Sequence, residues 1–399
     1  MRIVQIEDFF HPDAGYQINI LSKEWSRQGH EVYIITANPK HLPPNLLQFF
    51  DFDEINEKDK LYQNKYNVKI LRVDTICRIS NRIIFKKNIF KLVKSLNPSI
   101  LYVHGNDTYI GILASLKMNK FDFPLILDTH MVDMASNNKL NKLFYFFYRK
   151  FITPILKKKN TYIIRTADVN YIFDKFDYPQ NLSPNLGFGS DISVFHPNNN
   201  IKSIKRKEMG IPADSFVFIY AGKLDETKGG LFLSNCLLKK IETNKDLTFV
   251  IIGNCNSSKC DEIESNFSMS ENRLIRLSTQ TYESLGDLFR IGDVAIFPKQ
   301  CSLTYYDMQA SALPVILEDN EVNKSRINME NGILFETNDM ESFRKSIIKY
   351  ANMGDDEFIK HSNNSLNHII QKYDYSKIAK KYLEYIEISI EKFKKGRKK

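Results

Sequence analysis

The sequence predicts an α/β protein built as two doubly wound, parallel-sheet domains. Three observations carry that prediction. The chain has 399 residues, more than one compact core normally holds. Short apolar strands alternate with stretches of helical periodicity, and the alternation restarts after about residue 200. Strands such as "PLILD" at 124–128 are apolar almost throughout, as suits a sheet covered on both faces.

In the first half, "RIVQI" reads as a strand. Ile18, Leu21 and Trp25 recur at helical spacing through "QINILSKEWSRQ", and Gly29 stands where a helix C-cap belongs. "HEVYIITA", "VKILRV", "SILYVHG" and "PLILDTH" read as strands, while "RIIFKKNIFKLVKSL" and "GILASLKM" read as helices. In the second half, "SFVFIYAGK", "LTFVIIGN", "LIRLS", "VAIFP" and "LPVILE" read as strands. "GGLFLSNCLLKKIE" and "YESLGDLFRIG" read as helices, and "FHPNNNIKS" at 195–203 as a linker. The expected division is 1–198, 199–372 and a C-terminal segment 373–399.

Composition narrows the class. Hydrophobic content is 43%, far from a disordered chain. No apolar run has the length of a spanning helix, and the start "MRIVQIED" is not a signal peptide, so the cytoplasm is the expected compartment. The five cysteines are scattered, without Cys-x-x-Cys, and Cys255 and Cys260 read as free thiols. Cys301, with no histidine near it in sequence, does not read as a nucleophile. A net charge of +9 favours anionic partners. The tail "EKFKKGRKK" reads either as a solvated, frayed end or as a polybasic patch for anionic lipid. "LNKLFYFFYRKFITPILKKK" at 140–159 interleaves aromatics with cations, and reads either as an interfacial membrane helix or as a packed one. No nucleic-acid motif is present.

Ligands of open parallel sheets bind beyond the carboxyl ends of the strands. Gly15, after the first strand, opens a helix whose N-terminus favours an anion. Gly222 and Lys223 end the first strand of the second half, and Lys228 follows before Gly229-Gly230. Two lysines about a strand-to-helix turn suit a diphosphate, although the loop is not a Walker A sequence. Asp307 heads a helix after "PKQCSLTYY". His130 and His104 each end a strand, and His11 lies in the first glycine loop.

Six stretches, in order, resemble the GT-B glycosyltransferases of family 4. They are "MRIVQIEDFFHPDAGYQ…GHEV", "LDTH", "NLGFGSDISVFHP", "YAGKLDETKG", "YDMQASALPVIL" and "NGILF" with the helical "DYSKIAKKYLEYIE". The resemblance spans nearly the whole chain. It implies a GT-B architecture, two Rossmann-like domains facing across a cleft, with the last helix returning to the first domain. It implies a retaining, metal-independent transfer from a nucleotide-diphosphate sugar, UDP- or GDP-linked, needing no cofactor. The acceptor would be a glycan or a lipid-linked sugar in bacterial surface polysaccharide or glycolipid assembly, with the enzyme peripheral on the inner face of the plasma membrane.

By the same resemblance, Gly15, Gly222, Lys223, Lys228, Ser302, Leu303, Thr304 and Asp307 hold the donor, Asp307 through the ribose hydroxyls. His130, Lys223 and Lys228 act catalytically. His130 serves as a hydrogen bond to the donor sugar, and the lysines serve the leaving diphosphate. His11, Tyr16 and His104 belong to the acceptor side. The sequence departs from the family at Lys299, where a glutamate is usual. That departure supports the alternative of a degenerate, non-catalytic subunit that binds a nucleotide sugar or supports a partner transferase. A nucleotide-sugar epimerase would need extra carboxylates near the sugar and is disfavoured.

Overall fold

The computed structural model describes residues 1–43, 52–79, 82–86, 88–130, 141–167, 169–255, 257–299, 303–327 and 329–397. They form two units, Met1–Phe188 with Tyr375–Lys399, and Gly189–Asp374.

The first unit is a parallel sheet of β1 (Arg2–Glu7), β2 (Glu31–Ala37), β3 (Val68–Val73), β6 (Ile100–Val103), β7 (Leu125–Thr129) and β8 (Ile163–Arg165), in the order β3-β2-β1-β6-β7-β8. β6 and β7 are buried along their whole length, which is why they carry almost no polar residues. The order reverses direction between β1 and β6, so the chain leaves these two neighbours toward opposite sides. The helices Gln17–Arg27 and Tyr375–Arg397 pack together on this sheet. Trp25, fully buried, donates its indole N–H to the Ala379 carbonyl at 3.2 Å. Tyr382 donates to the Leu186 carbonyl at 3.1 Å and accepts from Gln17. The helix runs on through the basic tail to Arg397, which pairs with Asp122 at 2.5 Å, so described residues up to 397 are neither frayed nor irregular.

The second unit repeats the plan with β9 (Phe216–Ala221), β10 (Leu247–Ile252), β11 (Arg273–Leu277), β12 (Val294–Phe297), β13 (Val315–Glu318) and β14 (Gly332–Phe335). All pairs are parallel, in the order β11-β10-β9-β12-β13-β14. The reversal falls between β9 and β12.

Four readings of the sequence change. Residues 82–96 are not one helix: Arg82–Phe85 form β5, antiparallel to β4 (Thr75–Ile79), and only Ile89–Ser95 is helical. Ile83 and Phe85 face inward with a period of two, and the Ile83 N–H is held by the Asp8 carboxylate at 3.1 Å. The 195–203 stretch is not a linker. Asn198 caps the helix Asn199–Glu208 by accepting the Ile201 N–H. The units divide after Phe188 rather than at 198, and after Asp374 rather than 372. Residues 191–196 are bound into the second unit: Phe195 stacks on Phe289, and Arg290 donates to the Val194 and His196 carbonyls. Finally, Cys255 and Cys260 are disulfide-bonded rather than free thiols. The loop after β10 folds back so that Cys255 meets Leu224 of the neighbouring loop, which brings the two sulfurs together.

Gly253 fixes this corner. Its φ is +131°, and a Cβ there would overlap the Gly222 carbonyl oxygen. Gly253→Ala is expected to cost about 3 kcal/mol through strain and backbone displacement, read as a lower urea midpoint at unchanged m-value.

Candidate active site

In the second unit, the loops leaving β9 and β12 meet at the reversal point. Gly222 donates its N–H to the Ile252 carbonyl and so closes the end of β9. The Asp225 carboxylate accepts the Lys228 N–H at 2.9 Å and the Thr227 hydroxyl at 2.7 Å. This tight turn delivers Gly229 at φ +74°, from which the helix Gly230–Leu238 begins. Gly230 lies so close to the Leu224 backbone that a side chain there would displace it. Lys223 is exposed, Lys228 half-buried, and the stem of Lys299 lies across Gly229. Lys223 and Lys228 precede this glycine turn in sequence and Lys299 lies across it, at a helix N-terminus where backbone N–H groups and the dipole add to their charge.

The segment after β12 is tied to the same strand end. Thr304 donates its hydroxyl proton to the Ala221 carbonyl at 3.0 Å, leaving its oxygen able only to accept. Leu303 is exposed and leads the helix Thr304–Ala310. Ser302 and Cys301 lie outside the described residues. Asp307 is buried and accepts from the Ser190 hydroxyl at 2.7 Å. Burial pushes its carboxyl up to about 8, with Asp191 adding to the rise and Ser190 opposing it. Reaching a ribose would require Asp307 to exchange or share its bond to Ser190.

The first unit has a different lip. Asp128, fully buried at the end of β7, accepts from the Tyr102 hydroxyl at 2.8 Å and the Gly105 N–H at 2.7 Å. His104 Nδ1 approaches the same carboxylate at 2.8 Å, and His130 Nε2 lies 3.4 Å away. His130 is 40% exposed, stacks on Phe188 and sets Nδ1 3.2 Å from the Thr166 hydroxyl. Thr166 gives its own proton to the Thr129 carbonyl, so its oxygen is left to accept from Nδ1. Burial works against charge on His130. The Asp128 carboxylate and Glu7 outweigh it, and the pKa is raised. Donation to a ligand oxygen would require the ring to exchange its Nδ1 contact with Thr166 or its Nε2 contact with Asp128.

Two residues expected on the acceptor side are buried. His104 is buried, with Nε2 against the Gln5 side-chain oxygen at 3.0 Å and Nδ1 on Asp128. Both nitrogens are used inside the unit and the ring is buried, so it braces Asp128. His11 is also buried, accepting the Asp13 N–H at 3.1 Å. Gly15 is half-buried and precedes Tyr16, which is exposed at the head of its helix. Sequence reasoning passed over Asp128, Glu7 and Asp8. Burial, with Asp8 and Asp128 nearby, pushes Glu7 up to about 8, and burial pushes Asp8 up to about 6. The available signal was acids placed directly at strand ends in "QIED" and "LILDT". Among the described residues, His104, Asp128 and His130 offer ligand atoms within 4.8 Å of one another. Direct hydrogen bonds and ion pairs among these atoms already account for the arrangement.

Residues 215–353, inside the second unit, match the family model described as Glycosyl transferases group 1. Over 345 residues the chain is 26% identical to the UDP-Gal:alpha-D-GlcNAc-diphosphoundecaprenol alpha-1,3-galactosyltransferase of Escherichia coli, covering 82% of this chain and 86% of that one. A glycosyltransferase from Rickettsia africae superposes with a TM-score of 0.70 at 14% identity, over 98% of both chains. Anabaena Alr3699/HepE, solved with UDP and glucose, superposes with a TM-score of 0.69 at 14% identity, over 97% of this chain and 99% of that one. The two sheets and these likenesses define a GT-B protein. The chain is a glycosyltransferase of that class, similar to family 4.

Asp307 sets a pH dependence. Its folded carboxyl, at about 8, holds a proton that the unfolded chain releases near the ordinary value of 3.8. The folded state thus binds more protons between these values, and the contribution of Asp307 to stability falls as pH rises through that window. Asp307→Asn is expected to flatten that fall, seen as a smaller loss of Tm between pH 5 and pH 8 than in the parent.

Proposed function

We propose that the protein transfers a sugar, with retention, from a UDP-sugar to a diphosphate-linked polyprenol acceptor in bacterial surface-glycan assembly. The observation that carries the donor half is the set of Lys223, Lys228 and Lys299 about the Gly229 turn. A diphosphate leaving group develops its negative charge there, and preorganised cations and N–H groups favour the transition state over the bound donor. The acceptor half rests on the E. coli relative, whose name specifies a diphosphoundecaprenol-linked sugar. UDP is chosen over GDP on that relative and on the UDP-bound Anabaena neighbour.

In this reading Lys223 and Lys228 neutralise the leaving diphosphate, and Thr304 and Asp307 contact the nucleotide. His130 takes the role that the resemblance assigns it, a donor to an oxygen of the sugar. The leaving phosphate takes the acceptor proton on the face it vacates, which gives retention. Because lysines supply the positive charge, transfer is expected to persist in EDTA. The enzyme works at the inner surface of the plasma membrane, where polyprenol-linked acceptors are presented. The presence of Lys299 where family 4 carries a glutamate favours one rival, a subunit that binds a donor or a partner without catalysis.

Thermal unfolding with UDP-, GDP-, ADP- and TDP-sugars tests the donor site. A UDP-sugar at a hundred times its dissociation constant is expected to add about 2.7 kcal/mol, and Lys228→Ala to abolish the shift. Stabilisation by GDP-sugars alone would overturn the base assignment. A donor shift without transfer to a GlcNAc-diphosphate lipid would leave the non-catalytic reading standing.

A further inference from the structure

One face of the first unit has properties that its interior does not explain. Asn141–Phe147, a single wide turn at Tyr148–Ile152 and Thr153–Lys158 run on as one helical stretch. Its inner side is set by Tyr148, Ile152 and Leu156, all fully buried. The Tyr148 hydroxyl accepts from the Asn106 amide at 3.0 Å, and its ring lies 4.2 Å from that of Phe176. The outer side carries Leu143 at 66%, Phe146 at 55% and Phe151 at 48% exposure. Three large apolar side chains within nine residues of one surface helix are costly to leave in water.

The charges on the stretch itself all have one sign, and among the described residues the acid paired with it is Asp177, on Lys157 near its far end. Lys142, Arg149, Lys150 and Lys158 are exposed, and residues 141–158 contain no Asp or Glu. Lys150 Nζ stands 5.5 Å from the Phe146 ring and 5.7 Å from the Phe151 ring, so cation and aromatics share one patch. A protein partner of this apolar area would normally bring mixed charge, whereas a bilayer offers an apolar layer beneath a sheet of phosphates. Aromatic rings suit the depth of the headgroup boundary, and long basic side chains reach up from it.

We propose that this face docks the protein on an anionic bilayer, with Leu143, Phe146 and Phe151 entering the headgroup boundary and Lys142, Arg149 and Lys150 on the phosphates. The proposal concerns the first unit alone and does not depend on the identity of the donor or the acceptor.

The test is co-sedimentation of the full chain with phosphatidylcholine vesicles and with vesicles of equal parts phosphatidylcholine and phosphatidylglycerol. The expected result is binding to the anionic vesicles only, with partitioning reduced about tenfold or more in Phe146→Glu/Phe151→Glu and also reduced in Arg149→Gln/Lys150→Gln. Both pairs are exposed, so melting temperature and nucleotide-sugar stabilisation are expected to match the parent. Phe146→Ser/Phe151→Ser replaces the glutamate pair should that variant not fold. A parent chain that stays in the supernatant, or phenylalanine variants that sediment like the parent, would overturn the proposal; the second result would move lipid binding to the C-terminal tail. Conversion of a parent dimer to monomer by the phenylalanine variants, without vesicle binding, would also overturn it and make the face a contact between copies.

Discussion

A parallel sheet places the carboxyl ends of all its strands along one edge, and this constraint organises both units. In each, the order reverses once, between β1 and β6 and between β9 and β12. The chain leaves those neighbours in opposite directions, so the backbone opens there and nowhere else along the edge. The residues that end those strands are then brought together whatever their distance in sequence. Gly222, Gly229, Lys299 and Thr304 share one corner for this reason, with Gly253 joining it from the end of β10, and His104, after β6, meets Gln5 of β1 and Asp128 of β7 at another. The glycines meet the cost of crowding: Gly253 lies against the Gly222 carbonyl, and Gly229 lies under Lys299.

The two corners use electrostatics in opposite ways. A buried carboxylate loses several kcal/mol of hydration, and each charge-assisted hydrogen bond returns about 1.5–3 kcal/mol. Asp128 recovers that loss through Tyr102, Gly105 and His104, with His130 as a further ion pair. The nearby histidines hold its pKa well below the usual carboxylate range despite burial. Asp307, with Ser190 as its hydroxyl donor, is not compensated in this way and rises to about 8. The first corner is therefore a buried anion that orients His130 and raises its pKa. The second has cations at its mouth and a carboxyl that favours its neutral form beneath them.

Much of this was legible in the residues. The strands at 2–6, 125–129 and 216–221 announce themselves by apolar runs between turn residues, and the last two are followed by His130 and Lys223. What was not legible depended on contacts distant in sequence. "RIIF" fits a helix or a strand by periodicity, and Asp8, some seventy-five residues away, holds Ile83 in an extended conformation. Asn198 to Asn200 read as breakers, yet Asn198 is a helix cap. His104 and His130 looked equivalent as histidines at strand ends. Burial separates them: Asp128 faces one nitrogen of each, Gln5 and Thr166 face the others, and His104 is buried whereas His130 is 40% exposed. Cys255, held against Leu224 of the neighbouring loop, is disulfide-bonded to Cys260 at the head of the next helix, a pairing that the spacing alone did not announce.

Lys299 shows how far one substitution alters such a corner. A glutamate at that place would lie beside Gly229, in the turn that follows Lys223 and Lys228, and would offset one of their two charges. A lysine there raises the local charge by two units relative to the family pattern. In the proposed reaction this strengthens the hold on a diphosphate and the stabilisation of its departure, both of which scale with positive charge near the leaving oxygens. It also removes the carboxylate that would accept from sugar hydroxyls, since an ammonium only donates. Acceptors for those hydroxyls must then come from backbone carbonyls and from oxygens such as that of Thr304, whose proton already belongs to Ala221. On that proposal the Lys299 corner favours recognition of the diphosphate over acceptance of sugar hydroxyls.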